Sequence, residues 1–219
     1  MPGRARTSQE DAVPLLSASG SFTRYKIVGD VPDSLLRDPV DALKHHAFQD
    51  IDATADERSF GWVSFEDMLD NRFASAPPQK AHYLLFTLRL DTRRISPAVF
   101  KKHLRVALDA ERQAGKEGGR NFVTKDRKTE IAEQVRLRLM ARSLPVPAVF
   151  DVVWNLDTHD VYLNSTNSKV KDLFEDLFTL TFELHLEQMT PSFLAARLVG
   201  EAKAKELEDI EPSPFAAGA

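Results

Sequence analysis

The sequence predicts an α+β fold: an antiparallel or mixed sheet with packed helices and a projecting basic helical hairpin. Three observations carry that expectation. Runs at 21–29, 82–94 and 180–189 alternate apolar and polar residues with the period of a strand. The segment 148–166 reads as a β-hairpin. Two consecutive helical runs between 96 and 142 stand together, without the strand-helix-strand alternation that builds a parallel sheet.

Taken in order, residues 1–20 are small and polar and read as a disordered tail. "SFTRYKIVG" (21–29) sets Phe22, Tyr25 and Ile27 among polar residues and ends at Gly29, as a strand does. Residues 30–50 are helical after Pro32, with Leu35, Leu36, Val40, Leu43 and Ala47 at helical spacing. Pro39 starts a second piece there, with Asp38 as its cap. "FGWVSFEDML" is a short strand or turn with inward aromatics, and "RFASAPPQK" a linker. In "HYLLFTLRLDTRR" (82–94), Tyr83, Leu85, Thr87 and Arg89 face one way and Leu84, Phe86, Leu88 and Leu90 the other.

A helix then starts with Ser96 as N-cap and Pro97 at its first position, where proline loses no hydrogen bond. Phe100, Leu104, Ala107 and Leu108 form its apolar face, and Gly115, Gly118 and Gly119 end it. The second helix runs from about Asp126 to Arg142, capped by Thr124, with Ile131, Val135 and Leu139 inward. In the hairpin, Phe150, Val152 and Trp154 share a face, residues 157–160 turn, and 161–163 return. "NSKVKDLFEDLFTL" is an amphipathic helix capped by Asn167 or Ser168, with Val170, Leu173, Phe174 and Leu177 inward. "LTFELHLEQM" (180–189) reads as a half-buried strand with Leu180, Phe182, Leu184 and Leu186 on the buried face. The expected organisation is a tail at 1–20, a sheet-containing domain at 21–95 and 148–200, a basic hairpin subdomain at 96–147, and a C-terminal tail at 201–219.

Composition narrows the functional classes. The chain has 219 residues, 42% of them hydrophobic and fourteen of them Phe, enough for a real core. It has no cysteine, which removes disulfides, thiolate metal sites and a cysteine nucleophile. No apolar run approaches the ~20 residues that span a bilayer, and the N-terminus lacks the apolar stretch of a secretory signal. The expected compartment is therefore the cytoplasm, without a membrane partner. The net charge of −4 conceals an asymmetry. Between Arg89 and Arg142 stand fifteen Lys and Arg against seven Asp and Glu, a local balance of +8 that leaves −12 for the rest. Such a stripe attracts polyanions whatever the sign of the mean.

On the first helix of the basic block, Lys101, Arg105, Arg112 and Lys116 stand at i, i+4, i+11 and i+15, one continuous stripe that Lys102 adjoins. On the second, Arg127, Arg138 and Arg142 share that spacing, Lys125, Lys128 and Arg136 widen the positive surface, and Arg120 sits in the turn. The competing account is a solvated surface with i,i+4 pairs such as Asp109 with Arg105 or Arg112. If the cations are free for phosphate, they serve backbone contacts and not base readout, since no zinc finger, basic zipper or ribonucleoprotein motif is present. Binding would then be sequence-tolerant and steeply salt-dependent. Neutralising Arg127, Arg138 and Arg142 together should weaken it without loss of fold.

Two acidic groupings offer an enzyme alternative. Asp151, Asp157 and Asp160 with His159 resemble the carboxylates of a divalent-metal nuclease, though Asp and Asn build turns for ordinary reasons. His185 between Glu183 and Glu187 puts three polar groups on one strand face, as solvent exposure also would. His45 and His46 suit a helix C-terminus. Phe60, Trp62 and Trp154 have rings that stack on bases, but their strands place them in a core first. No phosphate loop, nucleophile elbow or dinucleotide fingerprint is present, and no cofactor is implied. A third class is a protein-binding inhibitor of a nuclease or recombinase whose acidic remainder mimics DNA.

Gly61-Trp62-Val63, "VFKKHLRVALDAERQ", "TKDRKTEIAEQVRLRLMARSLP", "VVWNLDTHDVYLN" and "FELHLEQMTPSFL", in that order and at those spacings, resemble the recombination-associated DNA-binding protein family RdgC over roughly residues 21–195. The resemblance implies a non-enzymatic, sequence-independent double-stranded DNA binder, nucleoid-associated. It implies a homodimer that closes as a ring or clamp and competes functionally with a recombinase. The positive residues of 101–142 would then line or rim the hole. Two departures stand out: members of that family continue well past the strand matching 180–186, and this chain carries a glycine-rich insertion around 115–121.

Overall fold

The computed structural model describes residues 20–54, 56–117 and 122–200, together with Lys203 and Glu206. The expected tails, 1–20 and 201–219, lie almost wholly outside the described residues, as do Gly118, Gly119 and Arg120. The chain is α+β. In sequence it runs β1 (Thr23–Val28), α1 (Asp33–Arg37), α2 (Pro39–His45), β2 (Arg58–Ser64), β3 (Gln79–Lys80), β4 (Tyr83–Thr92), α3 (Pro97–Glu117), α4 (Lys125–Met140), β5 (Val146–Asn155), β6 (Asp160–Leu163), α5 (Ser168–Phe182), β7 (His185–Gln188) and α6 (Pro191–Val199). The strands form one antiparallel sheet in the order β2-β4-β5-β6-β1-β7, with the two-residue β3 also paired to β4.

Period-two alternation decides what each sheet face buries. Register places Trp62 opposite Leu88, Phe86 opposite Val152, Leu84 opposite Trp154, and Tyr25 opposite Val161. All eight are fully buried, and α5 covers this face with Val170, Leu173, Phe174, Leu177, Phe178 and Phe182. The rings pack edge-on or tilted: Trp62 meets Phe86 at 5.0 Å between centroids, and Trp154 meets Phe182 at 5.3 Å. Trp62 Nε1 donates to Thr181 Oγ1 at 2.8 Å, and Thr181 Oγ1 donates in turn to the Leu177 carbonyl. The expected inward placement of Trp62 and Trp154 holds.

The other face carries a buried polar row. Arg89 donates through Nε and Nη2 to both oxygens of Asp91 (2.9 and 2.7 Å), and its guanidinium lies 4.1 Å over the Phe48 ring. The Asp91 hydrogen bonds raise the Arg89 pKa above its ordinary value, with burial opposing. Thr87 donates to Asp151, which is itself buried. The loop around Phe48 lies so close to β2 that a Cβ on Gly61 would collide with the backbone nitrogen of Phe48. That close approach is what the glycine permits.

Four local expectations change. The half-buried strand at 180–189 is mostly helix: α5 continues to Phe182, and only His185–Gln188 pairs as a strand. Thr181 and Phe182 complete a stripe at i, i+3, i+4, i+7, i+8, i+11 and i+12 from Val170, so helical burial outweighs the short alternation. Leu180, expected inward, is 63% exposed. Glu183 then closes the helix in the left-handed region (φ 57°), its N–H donating to Thr179. The proline-rich linker contains β3. Asp38 precedes α2 as expected but makes no side-chain cap bond. The second basic helix stops at Met140, so Arg142 lies in the turn beyond it, while Thr124 caps it as expected by accepting from the Arg127 N–H.

Candidate nucleic-acid interface

Helices α3 and α4 pack against each other: Ala107, Ala110 and Ala114 line one groove with Ile131 and Val135, and Phe100 shares another cavity with Met140. Only Ile131, Val135 and Met140 of this pair are fully buried among the described residues. Two polar devices fix it. At the far end, Arg127 donates through Nε and Nη2 to both oxygens of Glu111 (2.8 and 3.1 Å) and through Nη1 to Glu130 (2.8 Å). These bonds hold the Glu111 carboxyl below its ordinary value and push the Arg127 guanidinium well above its own. At the near end, Arg93 is buried and donates to four carbonyls. Its Nη1 meets Met140 (3.3 Å) and Ser143 (3.0 Å) at the close of α4; its Nη2 meets Ile51 (2.5 Å) and Asp52 (3.2 Å). A cation at a helix C-terminus also suits the helix dipole.

The expected basic residues divide into groups. At about 100° per residue, Lys101, Arg105, Arg112 and Lys116 lie on one side of the α3 contact face, and Val99, Val106 and Ala110 lie on the other. On α4, Lys125, Lys128 and Arg136 lie on one side of the contact face, and Gln134 and Leu137 on the other. Antiparallel neighbours are related by a two-fold axis normal to their plane, so flanks of the same angular sense meet on one side of the pair. The groove lined by Ala107, Ala110 and Ala114 with Gln134 and Arg138, and by the paired Glu111 and Arg127, opens on the side away from these stripes. The opposite side therefore collects both cationic stripes. The sequence shows each stripe, but only the pairing of the helices brings them together.

Not every cation there is free. Arg112 pairs with Asp109 at 2.9 Å, Arg105 approaches the same carboxylate at 3.9 Å, and Arg136 reaches Glu57 at 3.8 Å. Arg127, expected to be free for phosphate, is instead held by two carboxylates, because the helix crossing brings Glu111 onto it. Lys101, Lys102, Lys116, Lys125, Lys128, Arg138 and Arg142 are exposed and, among the described residues, have no carboxylate within ion-pair distance. Arg138 lines the alanine groove and not the cationic flank.

The acidic groupings are dispersed. Asp151 is buried against Thr87, Asp157 pairs with His82 at 3.0 Å, and Asp160 accepts from Lys26 at 3.2 Å. Lys26 also donates to the Thr158 carbonyl. His159 occupies the turn with φ 58°. Glu183 is the α5 cap, and His185 lies 3.5 Å from Glu187. His45 contacts the Asp41 carbonyl through Nδ1 at 2.7 Å. Among the described residues no group of three or more His, Asp and Glu is placed to hold a metal ion, and no helix is long and apolar enough to cross a membrane.

Sequence reasoning missed three cations outside the hairpin. Arg58, Arg94 and Lys169 line a groove of about 470 Å³ between the β2–β4 edge and the start of α5. They are far apart in sequence and form no stripe. No protein-family model matches the chain, and no curated protein matches it.

Proposed function

We propose that this protein is a non-enzymatic, sequence-independent binder of double-stranded DNA that grips phosphates with one flank of the α3–α4 pair. The observation that carries the reading is the convergence of Lys101, Arg105, Arg112 and Lys116 with Lys125, Lys128 and Arg136 on the same side of two packed helices, while Asp126, Glu130 and Glu133 fall on the other. Long, exposed cations on rigid helices suit backbone contact and carry no base code. Arg127 leaves the contact set and becomes a positioning residue for the two helices. Lys102, Arg138 and Arg142 stand at the margins, and Arg120 lies outside the described residues.

The resemblance to the RdgC family extends this reading to a dimeric clamp that modulates recombination at the nucleoid in competition with a recombinase. Exposed apolar side chains on the side away from the cationic stripes support a second copy there: Val106 and Leu137 are both 62% exposed. The acidic edge of α4 faces the same way as Lys102 of α3, so a two-fold pairing would set opposite charges together.

The test is binding to a labelled duplex across a salt series, with mass measured in the same buffers. Tight binding at low salt that weakens steeply, with a slope of roughly 0.9 per phosphate contact, by a particle of twice the chain mass, supports the reading. A duplex left at full length after incubation with magnesium or manganese separates a binder from a nuclease. No duplex binding at low salt overturns the reading and directs attention to protein partners.

A further inference from the structure

Of the three aromatic residues with base-stacking potential, Trp62 and Trp154 are sealed in the core, but Phe60 is not. It is 41% exposed, and the Arg58 guanidinium lies 5.2 Å over its ring. Phe60 is paired in register with Leu90, on the same sheet face. Leu90, Val170 and Leu173 are apolar lining of the groove that also takes in Arg58, Arg94 and Lys169, with Thr92, Asn167, Asp172 and Asp176 as its polar remainder. None of these five charged groups forms a salt bridge among the described residues, although opposite charges share the groove.

We propose that this groove, together with Phe60 beside it next to Arg58 and Leu90, is a nucleotide site for an unpaired end of a DNA strand, with the base stacked on Phe60 and its phosphate among Arg58, Arg94 and Lys169. A simple anion would need the cations but neither the aromatic ring nor the apolar lining. The carboxylates Asp172 and Asp176 repel phosphate, yet they accept hydrogen bonds from the exocyclic amines of a base. The volume is in the range of small-ligand sites, which begin near 300 Å³. The groove also connects with the hairpin flank: Arg94 lines a neighbouring cavity that Arg136 and Phe100 line as well. Arg94 thus lines both this groove and the cavity beside the hairpin flank, on the path of a strand leaving a duplex held on α3–α4. The inference rests on the duplex-binding reading for its geometry, but its chemistry is separate.

The experiment compares a blunt duplex with the same duplex bearing a short single-stranded overhang, and adds the single-stranded oligonucleotide alone. The intact protein should prefer the overhang roughly tenfold, the worth of about one stacked base. Phe60→Ala and the double change Arg94→Gln with Lys169→Gln should each remove that preference and leave blunt-duplex affinity unchanged; Phe60→Tyr should keep it. Lys101, Lys116, Lys125 and Lys128 changed to Gln should lower blunt-duplex affinity but retain the preference. Equal affinity for blunt and overhanging duplexes in the intact protein, or a preference that survives Phe60→Ala, overturns the site. If blunt duplex is not bound at all, the duplex reading falls, and Phe60-dependent binding of the single strand still decides this one.

Discussion

The sheet with α5 and the α3–α4 pair obey different rules of construction. In the sheet layer both tryptophans and Phe86, Phe174, Phe178 and Phe182 are sealed, and a short polar chain from Trp62 through Thr181 to Leu177 satisfies the indole. In the helical pair few apolar side chains are fully buried, and cohesion comes from Arg127 at one end and Arg93 at the other. Stability in the first region uses up the side chains. In the second it leaves Lys101, Lys116, Lys125 and Lys128 exposed and, among the described residues, without a carboxylate partner, and those are the groups a ligand can reach.

The most sensitive way to break this comparison is to strip the flank without touching the core. Changing Lys101, Lys116, Lys125 and Lys128 to Gln should lower the slope of log affinity against log salt by roughly 3 to 4. Over a tenfold range of salt that is about a thousandfold in duplex affinity. Denaturation midpoints should stay put, since none of the four forms an ion pair among the described residues; an unaltered slope would detach the flank from binding.

The reverse experiment is Trp62→Ala, which should cost about 3–5 kcal/mol of stability in urea or guanidinium titration. It deletes a fully buried indole and removes the donor to Thr181 Oγ1. A loss below ~1 kcal/mol would show that the core relaxes around the gap.

Arg93→Met tests the joint between the two regions. Four carbonyls lose their donor at once, and removal should cost about 2–3 kcal/mol. Hydrogen exchange should accelerate first at the C-terminal turn of α4, where Met140 and Ser143 are released. Uniform acceleration across the sheet would instead make Arg93 part of the main core.

The smallest effect is expected at Glu111, and it is pH-dependent. Its folded pKa is depressed by Arg127, so its contribution is fully present above the ordinary glutamate value of ~4.3. That contribution is lost as pH falls through the lowered folded value. Because the pair is open to solvent, the change is small. Glu111→Gln should flatten that acid dependence of hairpin melting, and an unchanged profile would remove the cross-helix bond from the account.

Much of the fold was legible because its signals are local. The strand at 82–94, the hairpin through Trp154, the Pro97 start of α3 and the Thr124 cap each rest on residues within a few positions of one another. The failure at 180–189 is instructive for the same reason. Four alternating residues satisfy a strand, but Thr181 and Phe182 also continue a helical stripe begun at Val170, and burial of that stripe of α5 against the sheet chose between them. The site was half legible. Each cationic stripe stands in the sequence, whereas the engagement of Arg127 by Glu111 depends on which side of α3 meets α4.

By itself the sequence determined the α+β class, the period of each face and the segregation of +8 into one block, since these depend on spacing along a single element. Only the tertiary structure decided which cations share a flank, which are consumed by carboxylates, and that Phe60 stays outside with Arg58, Arg94 and Lys169. Those outcomes depend on distances between residues that are remote in sequence. Such distances are set by helix pairing and sheet register, which no local pattern encodes.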